Sequence, residues 1–99
     1  MKTLTDKNFV EEVERSRGPY LVEFSGYYCG ACRSIRTLLA KVADQEGVPF
    51  GEIDVTTSIR TAAKYGIKKV PTTIMFKDGH VTQRQEGPVN IAKLILREE

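Results

Sequence analysis

The stretch from residue 20 to residue 55 constrains the fold most strongly, because strand and helix signals alternate along it. Residues 20–25 are apolar except for Glu23, and residues 49–55 form a second strand-like run. Between them, apolar residues recur at helical spacing and predict a helix over about residues 30–45. Two strands joined by such a helix lie parallel in one sheet. The stretch therefore predicts a βαβ unit.

The helix of this unit has one predicted apolar face, formed by Ile35, Leu38, Leu39 and Val42. Three more helices are expected, because residues that favour helix starts precede short apolar patterns. Asp6 is expected to cap the first helix, Thr57 or Ser58 the next, and Asn90 the last. The apolar face of the last predicted helix consists of Ile91, Leu94 and Ile95.

The C-terminal half predicts a hairpin at the edge of the sheet. Strand-like residues 72–77 and 80–85 flank Asp78-Gly79, a dipeptide typical of two-residue hairpin turns. We expect an α/β fold with a central mixed β-sheet of four strands, flanked by four helices. Met1–Leu4 would add a fifth strand at the N-terminal edge. The 99 residues are expected to form a single domain over residues 1–99.

Composition excludes several classes of function. Hydrophobic residues make up 40% and charged residues 28%, as in a globular domain. The formal net charge of +2 is too small to indicate nucleic-acid binding. Apolar stretches are too short to cross a membrane, and the first residues lack the apolar core of a signal peptide. We therefore expect a cytoplasmic protein with no nucleic-acid or membrane partner.

Cys29 and Cys32 are the two cysteines of the chain, and they lie at the predicted start of the central helix. The first turn of a helix has free N–H groups and the positive end of the helix dipole, and both favour a thiolate. We expect the pKa of Cys29 to fall below that of a free cysteine and its sulfur to be exposed at the N-cap. Cys32 follows by nearly one turn, so the pair can cycle between dithiol and disulfide.

Two other interpretations of the cysteine pair stay open at this point. The cysteines are either inert core residues or half of a metal site. Zinc prefers four ligands, and the other strong soft ligand of the chain is the distant His80, so a zinc site would need thiolates from two chains. The sequence contains no dinucleotide- or phosphate-binding glycine motif, and we expect neither a metal nor a bound cofactor.

Four segments together resemble the thioredoxin family. The segment Leu21–Arg33 contains Cys-Gly-Ala-Cys and resembles the active-site segment of the family. The segment Lys64–Thr72 contains Tyr-Gly-Ile-x-x-Val-Pro-Thr, and Phe76–Gly79 and Gly87 follow at family-like spacing. The resemblance covers nearly the whole chain in order, and it implies the thioredoxin fold.

The resemblance also implies a substrate groove beside the cysteine pair. In the family, the proline that corresponds to Pro71 is cis and packs beside the cysteines. The backbone at Val70 would pair with an extended substrate segment, and Gly87 would complete the groove. Pro71 could instead be an ordinary proline at a strand start. The residues expected to contact substrate are Tyr28, Gly30, Ala31, Val70, Pro71 and Gly87.

Glu23 occupies the position of a buried aspartate in the family. It interrupts an otherwise apolar strand, so we expect it under the cysteine pair with a pKa raised by desolvation. There it can take and return the proton of Cys32, which makes Cys29, Cys32 and Glu23 the candidate catalytic residues. The pattern alone also permits an outward-facing Glu23. The lysine partner of the family aspartate corresponds to Phe50, so we expect no buried ion pair.

Other departures from the family pattern concern the active-site segment. Tyr28 stands where the family has tryptophan. Ala31 replaces a proline and keeps an N–H near the thiolate, which should shift the redox potential. Thr37 replaces a proline that kinks the helix in many thioredoxins, so we expect a straighter helix.

The function implied by the resemblance is a protein-disulfide reductase. Cys29 would attack a disulfide of a protein substrate, and Cys32, deprotonated with help from Glu23, would resolve the mixed disulfide. The expected electron donor is a flavin-dependent, NADPH-fed thioredoxin reductase, and the protein is expected to be a monomer. The alternatives are a disulfide isomerase or oxidant, and a binding module that uses the cysteine pair to contact a partner or a metal.

Charge is unevenly distributed around the predicted site. Residues 24–43 and 55–77 bracket the cysteine pair and the Pro71 loop, and neither stretch contains an acidic residue. Their lysines and arginines predict a positive rim that would steer acidic partners. The alternative is that these side chains only solvate helix faces.

Overall fold

The computed structural model describes residues 1–94 and 96, and in them it contains a five-stranded mixed sheet. The strands are β1 (Lys2–Leu4), β2 (Pro19–Ser25), β3 (Phe50–Asp54), β4 (Thr72–Lys77) and β5 (His80–Glu86). Their order across the sheet is β1-β3-β2-β4-β5. β3 is parallel to β1 and β2, whereas β4 is antiparallel to β2 and β5. The predicted α/β architecture and the N-terminal edge strand are confirmed.

The described part of the chain contains two α-helices, one between the parallel strands β2 and β3 and one between β3 and the hairpin. α1 (Gly30–Glu46) follows β2, and α2 (Ile59–Lys64) follows β3, close to the predicted bounds. α1 ends at Gly47, whose φ of 67° is a left-handed conformation that favours glycine. Over residues 1–94 and 96, no helix is both long enough and apolar enough to cross a membrane.

The first and last predicted helices are shorter and of other types. The first is a π-helical turn, Val10–Glu14, closed by a 2.8 Å hydrogen bond from the Arg15 N–H to the Val10 carbonyl. The last is a 3-10 turn, Ile91–Lys93, capped as predicted by the Asn90 side chain. Leu94 already has an extended backbone, which ends the turn. Ile95, expected on the face of the last helix, lies outside the described residues.

Asp6 caps a different helix from the one expected. Its carboxylate accepts hydrogen bonds from the N–H groups of Arg60 and Thr61, at 3.2 and 2.9 Å, and from the Thr61 hydroxyl at 2.7 Å. Asn8 instead closes the first turn of the chain, because its Oδ1 accepts from the Thr5 N–H at 2.8 Å. The expectation was wrong because it considered only residues near Asp6 in sequence, whereas α2 packs beside this loop in the fold.

Alternation along β2 divides the buried residues between the two faces of the sheet. The structure has two hydrophobic clusters, one on each face of the sheet. Val22 and Phe24 belong to the cluster that includes Val13 of the π-helical turn, whereas Leu21 belongs to the cluster beneath α1. Glu23 and Ser25 share the face of Leu21, since side chains of a strand alternate between faces. Glu23 therefore points toward α1 and not toward solvent, and it is fully buried.

α1 packs on the sheet through a stripe that is rotated from the predicted one. Cys32, Leu39 and Ala43 are the buried residues of this helix. Leu38 is 42% exposed, so its predicted place on the packed face is wrong. Arg36 follows Cys32 by four residues and lies on the same stripe, over the sheet.

Candidate active site

The cysteine pair lies at the N-terminal end of α1, shortly after β2. Cys29 is the N-cap residue and Cys32 lies in the first turn, and a disulfide joins them with their Cα atoms 5.2 Å apart. The backbone N–H of Cys32 donates to Sγ of Cys29, with the nitrogen and sulfur 3.1 Å apart. Cys32 is fully buried, whereas Cys29 is partly exposed. Cys29 is therefore the accessible member of the pair.

Beneath α1, the sheet carries a row of polar side chains across three strands. Glu23 of β2 pairs in register with Glu52 of β3 and with Thr73 of β4. The next row on the same face is apolar and includes Phe50 and Met75. Glu23 Oε2 and Thr73 Oγ1 are buried and have no hydrogen-bond partner among the described residues. The polar row thus marks the end of the sheet nearest the cysteines.

Glu23 forms an ion pair with Arg36, which corrects the expectation that none exists. Arg36 Nε donates to Glu23 Oε1 at 3.1 Å, and Arg36 Nη2 lies 3.0 Å from Glu52 Oε2. The expectation considered only the position of Phe50, which lies in the apolar cluster, and overlooked a cation arriving from α1. Burial raises the pKa of Glu23 to about 7, although Arg36 opposes the shift and Glu52 adds to it. The predicted burial of Glu23 is confirmed, and the direction of the pKa shift agrees with the expectation.

Arg36 and Glu52 belong to this site although neither was predicted, and two signals in the sequence point to them. Arg36 lies four residues after Cys32, a spacing that places both on one helix face. Once β2 and β3 are taken as parallel strands, Glu52 lies in the register position beside Glu23. The first signal is local to the helix, whereas the second can be used only with a correct sheet register.

The loop before β4 lies beside the cysteine segment. The Val70–Pro71 peptide bond is cis, as the resemblance implied. The Pro71 carbonyl accepts a 2.7 Å hydrogen bond from the Gly87 N–H, and Gly87 has a φ of 76°. The loop approaches the segment that leads to Cys29, because a Cβ at Gly26 would lie 3.2 Å from the Val70 side chain. Val70, Pro71 and Gly87 are therefore brought together, and Val70 lies against the segment that leads to Cys29.

Two exposed tyrosines precede the cysteines. Tyr28 is 91% exposed and Tyr27 is 70% exposed. Their ring centroids are 4.4 Å apart and their planes are nearly perpendicular, a favourable edge-to-face arrangement. Gly30 and Ala31 are also exposed, on the other side of Cys29. Tyr28 was among the predicted substrate contacts, whereas Tyr27 was not.

A polar cleft opens on the side of Cys29 that faces β3. Its volume is ≈ 160 Å³, and Arg33, Arg36 and Glu52 are among the residues that line it. The Ser25 hydroxyl donates to Glu52 Oε2 at 3.2 Å. Hydrogen bonds and ion pairs therefore connect the buried Glu23, through Arg36 and Glu52, to the wall of this cleft.

The basic residues that were predicted to form a positive rim differ in exposure and pairing. Arg33, Arg60, Lys68 and Lys69 are exposed. Lys64 lies 2.8 Å from a carboxylate oxygen of Glu14, and Arg36 is held by the two glutamates. Among residues 1–94 and 96, no group of three or more histidine, cysteine, aspartate or glutamate side chains is placed to hold a metal ion.

A cysteine pair at a helix N-cap, with a cis-proline loop against the segment that precedes it, is the arrangement of a protein that carries out dithiol–disulfide exchange. Residues 1–97 match the thioredoxin family model. The chain is 34% identical over 96 residues to a thioredoxin of Rhodospirillum rubrum, across 95% of this chain and 92% of that protein. It is 36% identical over 92 residues to thioredoxin C-2 of Corynebacterium nephridii, across 91% and 85% of the two chains.

A thioredoxin of Pseudomonas aeruginosa is 32% identical over 93 residues, across 92% of this chain and 86% of its own length. The chain belongs to the thioredoxin family. With Cys29 and Cys32 joined at the helix N-cap, it is a thiol–disulfide oxidoreductase and a protein-disulfide reductase.

Proposed function

We propose that Cys29 is the nucleophile of this reductase and that Cys32 is the resolving thiol. The asymmetry of the pair carries this assignment, because Cys29 caps α1 and is partly exposed whereas Cys32 is buried. In the first step, the Cys29 thiolate attacks a substrate disulfide. A bond forms between Cys29 and one substrate sulfur, the substrate S–S bond breaks, and the released thiolate takes a proton from solvent.

In the second step, Glu23 acts as the proton acceptor for Cys32. The Cys32 thiolate attacks the Cys29 sulfur, the Cys29–Cys32 bond forms, and the bond to the substrate breaks. The substrate has then gained two electrons, and the cysteine pair has lost two. The burial of Glu23 beneath α1 and its pKa of about 7 support this role, since a group exchanges protons most effectively when its pKa is close to the ambient pH.

The substrate disulfide binds in a groove formed by the two sides of the active site. An extended substrate segment pairs with the backbone of Val70, by addition of a strand-like segment to the protein. Pro71 and Gly87 form the adjoining wall, held together by their 2.7 Å backbone hydrogen bond. Tyr28 supplies a flat exposed surface on the other side of Cys29. Gly30 and Ala31 have small side chains that leave the Cys29 sulfur accessible.

The electron donor is a flavin-dependent, NADPH-fed thioredoxin reductase. We expect that reductase to dock through an acidic surface, because this chain exposes four basic side chains: Arg33, Arg60, Lys68 and Lys69. We propose that the protein acts as one domain and as a monomer, without a cofactor of its own. Its compartment is the cytoplasm, where a reducing thiol pool keeps such a protein in the dithiol state.

Trapping of the mixed disulfide tests the roles of the cysteines. The reduced Cys32→Ser variant is mixed with a disulfide-bonded peptide, and the products are separated without reductant and identified by mass. We expect a stable one-to-one adduct through Cys29. The matched Cys29→Ser variant should form no such adduct, because its remaining thiol is buried. Equal trapping by both variants, or trapping only by Cys29→Ser, would overturn the assignment.

The reduction potential tests the direction of electron flow. The protein is equilibrated in graded dithiothreitol buffers, alkylated and weighed, since a chain with no tryptophan lacks the usual fluorescence signal. A potential of about −270 mV is expected for a reductase, whereas roughly −180 to −120 mV would indicate an isomerase or oxidant.

The salt dependence of the reaction tests the acidic docking surface. The rate of reduction by a thioredoxin reductase should fall as salt is raised to physiological strength. If this rate does not change with salt concentration, the proposed docking through an acidic surface is wrong.

A further inference from the structure

We propose that Arg36 is a positioning residue for the resolving step, because it fixes one oxygen of Glu23 and leaves the other to exchange the proton of Cys32. The proposal rests on the role of Glu23 proposed above and adds a second residue to it. It also assigns a function to Glu52, which competes with Glu23 for the same guanidinium.

The two oxygens of Glu23 have different surroundings. Oε1 accepts a 3.1 Å hydrogen bond from Arg36 Nε. Oε2 is buried and has no hydrogen-bond partner among the described residues. An ionised oxygen held by a guanidinium is a poor proton acceptor, because protonation there would break a charge-assisted hydrogen bond. Oε2 is therefore the oxygen that takes up and releases the proton.

The place of Arg36 on α1 relates this carboxyl to the cysteine pair. Arg36 and Cys32 are four residues apart on the stripe of α1 that faces the sheet. Helical side chains lean toward the helix N-terminus, so the guanidinium that holds Glu23 extends from Arg36 in the direction of the turn that carries Cys32. The planar guanidinium has several donors in fixed directions, which sets the orientation of the carboxyl as well as its charge.

Each element packed against Glu23 contributes one polar group. α1 supplies Arg36, with Cys32 on the preceding turn, and β3 supplies the carboxylate of Glu52 in the adjacent register position. β4 supplies the neutral hydroxyl of Thr73, which is buried and unpartnered like Oε2. Arg36 and Glu52 are thus the charged groups that act on Glu23, and they act in opposite directions.

The shared guanidinium makes an opposed pair of variants informative. Arg36→Gln removes the cation that favours ionised Glu23, so the pKa of Glu23 should rise above about 7. Glu52→Gln removes a competing carboxylate and leaves Arg36 to Glu23, so the pKa should fall. A merely structural loss of packing would not move this titration in two opposite directions.

The titration is measured on the full chain in its oxidised form, labelled with ¹³C at glutamate side-chain carboxyl groups. The Glu23 resonance is assigned as the signal absent from Glu23→Gln. If Arg36→Gln raises the pKa by about one unit, the ionised fraction at neutral pH falls roughly fivefold. The pH profile for reduction of a disulfide peptide should move to higher pH in Arg36→Gln and to lower pH in Glu52→Gln.

Two further variants complete the test. Arg33→Gln is the matched control, since it removes an exposed arginine from the same helix end, and it should leave the Glu23 titration unchanged. Arg36→Lys keeps the charge but not the planar fork, so its Glu23 titration should stay closer to the wild type than that of Arg36→Gln. Circular dichroism establishes that each variant is folded.

The outcomes separate this proposal from the one on which it rests. If Glu23→Gln changes the pH profile but the Glu23 titration in Arg36→Gln is the same as in Arg33→Gln, Glu23 is the proton acceptor and the role of Arg36 is wrong. If Glu23→Gln reduces disulfides with an unchanged pH profile, the role of Glu23 itself fails. Shifts of the same sign in Arg36→Gln and Glu52→Gln would also overturn the shared-guanidinium arrangement.

Discussion

The backbone N–H of Cys32 points at the sulfur of Cys29, with 3.1 Å between nitrogen and Sγ. In the dithiol state the same geometry directs a hydrogen-bond donor at the Cys29 thiolate, at the positive end of the α1 dipole. Ala31 lies between the two cysteines and keeps a second backbone N–H in this first turn. The Cys32 donor stabilises the thiolate, and hence the reduced protein, relative to the disulfide, and the free N–H of Ala31 adds to the positive end of the helix dipole.

Replacement of Ala31 by proline should make the cysteine pair more reducing. Ala31→Pro removes one N–H from the first helical turn, where proline is otherwise tolerated. Loss of one N–H from the turn that faces the thiolate should lower the reduction potential by roughly 30 mV, a tenfold change in the exchange constant. The measurement is equilibration in dithiothreitol buffers followed by alkylation and mass analysis. Ala31→Gly keeps the N–H and is the control; equal potentials in the two variants would contradict the argument.

The stability of the oxidised protein should fall as the pH rises, because Glu23 must ionise in a buried place. The folded pKa of about 7 lies above the ordinary value of 4.5, so the unfolded chain loses this proton first. The favourable contribution of protonated Glu23 is complete below pH 4.5 and is lost as the pH rises through about 7. Ionisation should reduce the free energy of unfolding by about 3 kcal/mol across this interval.

Chemical denaturation of wild type and Glu23→Gln at a series of pH values measures this effect. The variant has no ionisable group at this position. The difference in free energy of unfolding, variant minus wild type, should therefore increase steadily from acid to neutral pH. Glu11→Gln, at an exposed glutamate, is the control and should follow the wild type. Parallel profiles for Glu23→Gln and the wild type would show that burial does not shift this carboxyl.

Tyr28 should contribute to the binding of protein substrates and not to the chemistry. Its ring is 91% exposed beside Cys29, and loss of an exposed aromatic contact should raise the KM for a disulfide-bonded protein roughly tenfold. Tyr28→Ala should react normally with a small aromatic disulfide, which needs no extended contact. Tyr28→Phe keeps the ring and should behave as the wild type. An equal loss of rate toward small and large disulfides would place Tyr28 in the reaction itself.

The elements with strong local signals could be predicted from the sequence. The Asp78-Gly79 turn joins β4 and β5 as expected, with Asp78 at a φ of 51° and Gly79 at 81°. Cys29 occupies the predicted N-cap, and Glu23 is buried as its place in an apolar strand indicated. In these cases the deciding interactions lie within one element or between a residue and its immediate neighbours.

The features that were wrong or missed depend on contacts distant in sequence. Asp6 binds Thr61, 55 positions away, and no local pattern distinguishes this cap from the expected one. Arg36 meets Glu23 only because β2 lies beneath α1, and the rotation of α1 that buries Cys32 also exposes Leu38. Side-chain pairing across elements requires the packing arrangement first, and periodicity within one helix does not supply it.

The cap formed by Asp6 should stabilise the fold from outside the helix that it caps. Asp6→Ala removes three acceptor contacts at the start of α2 and should lower the melting temperature by roughly 5 °C. Asp6→Asn keeps a side-chain oxygen as acceptor and should lower the melting temperature by less.

The stabilisation by Asp6 should also depend on pH. The Thr61 hydrogen bonds hold the pKa of Asp6 below its ordinary value of 3.8, so the stabilisation is present above that pH and disappears as the pH falls through the lowered pKa. Equal melting temperatures for wild type and Asp6→Ala would show that the cap is dispensable.

Gly79 should be the glycine least tolerant of a side chain among those with positive φ. A Cβ at Gly79 would lie 2.0 Å from the carbonyl oxygen of Glu14, at the end of the π-helical turn, and its φ of 81° is itself unfavourable for alanine. Gly66 provides the matched control, since its φ is 62° but a Cβ there would meet no atom within 4 Å. Gly66→Ala should cost about 1 kcal/mol through backbone strain alone, whereas Gly79→Ala should cost about 3 kcal/mol or more, because the hairpin must also move away from Glu14. Urea denaturation of both variants measures the difference in their free energies of unfolding. If both variants lose the same stability, the hairpin moves away from Glu14 at no energetic cost.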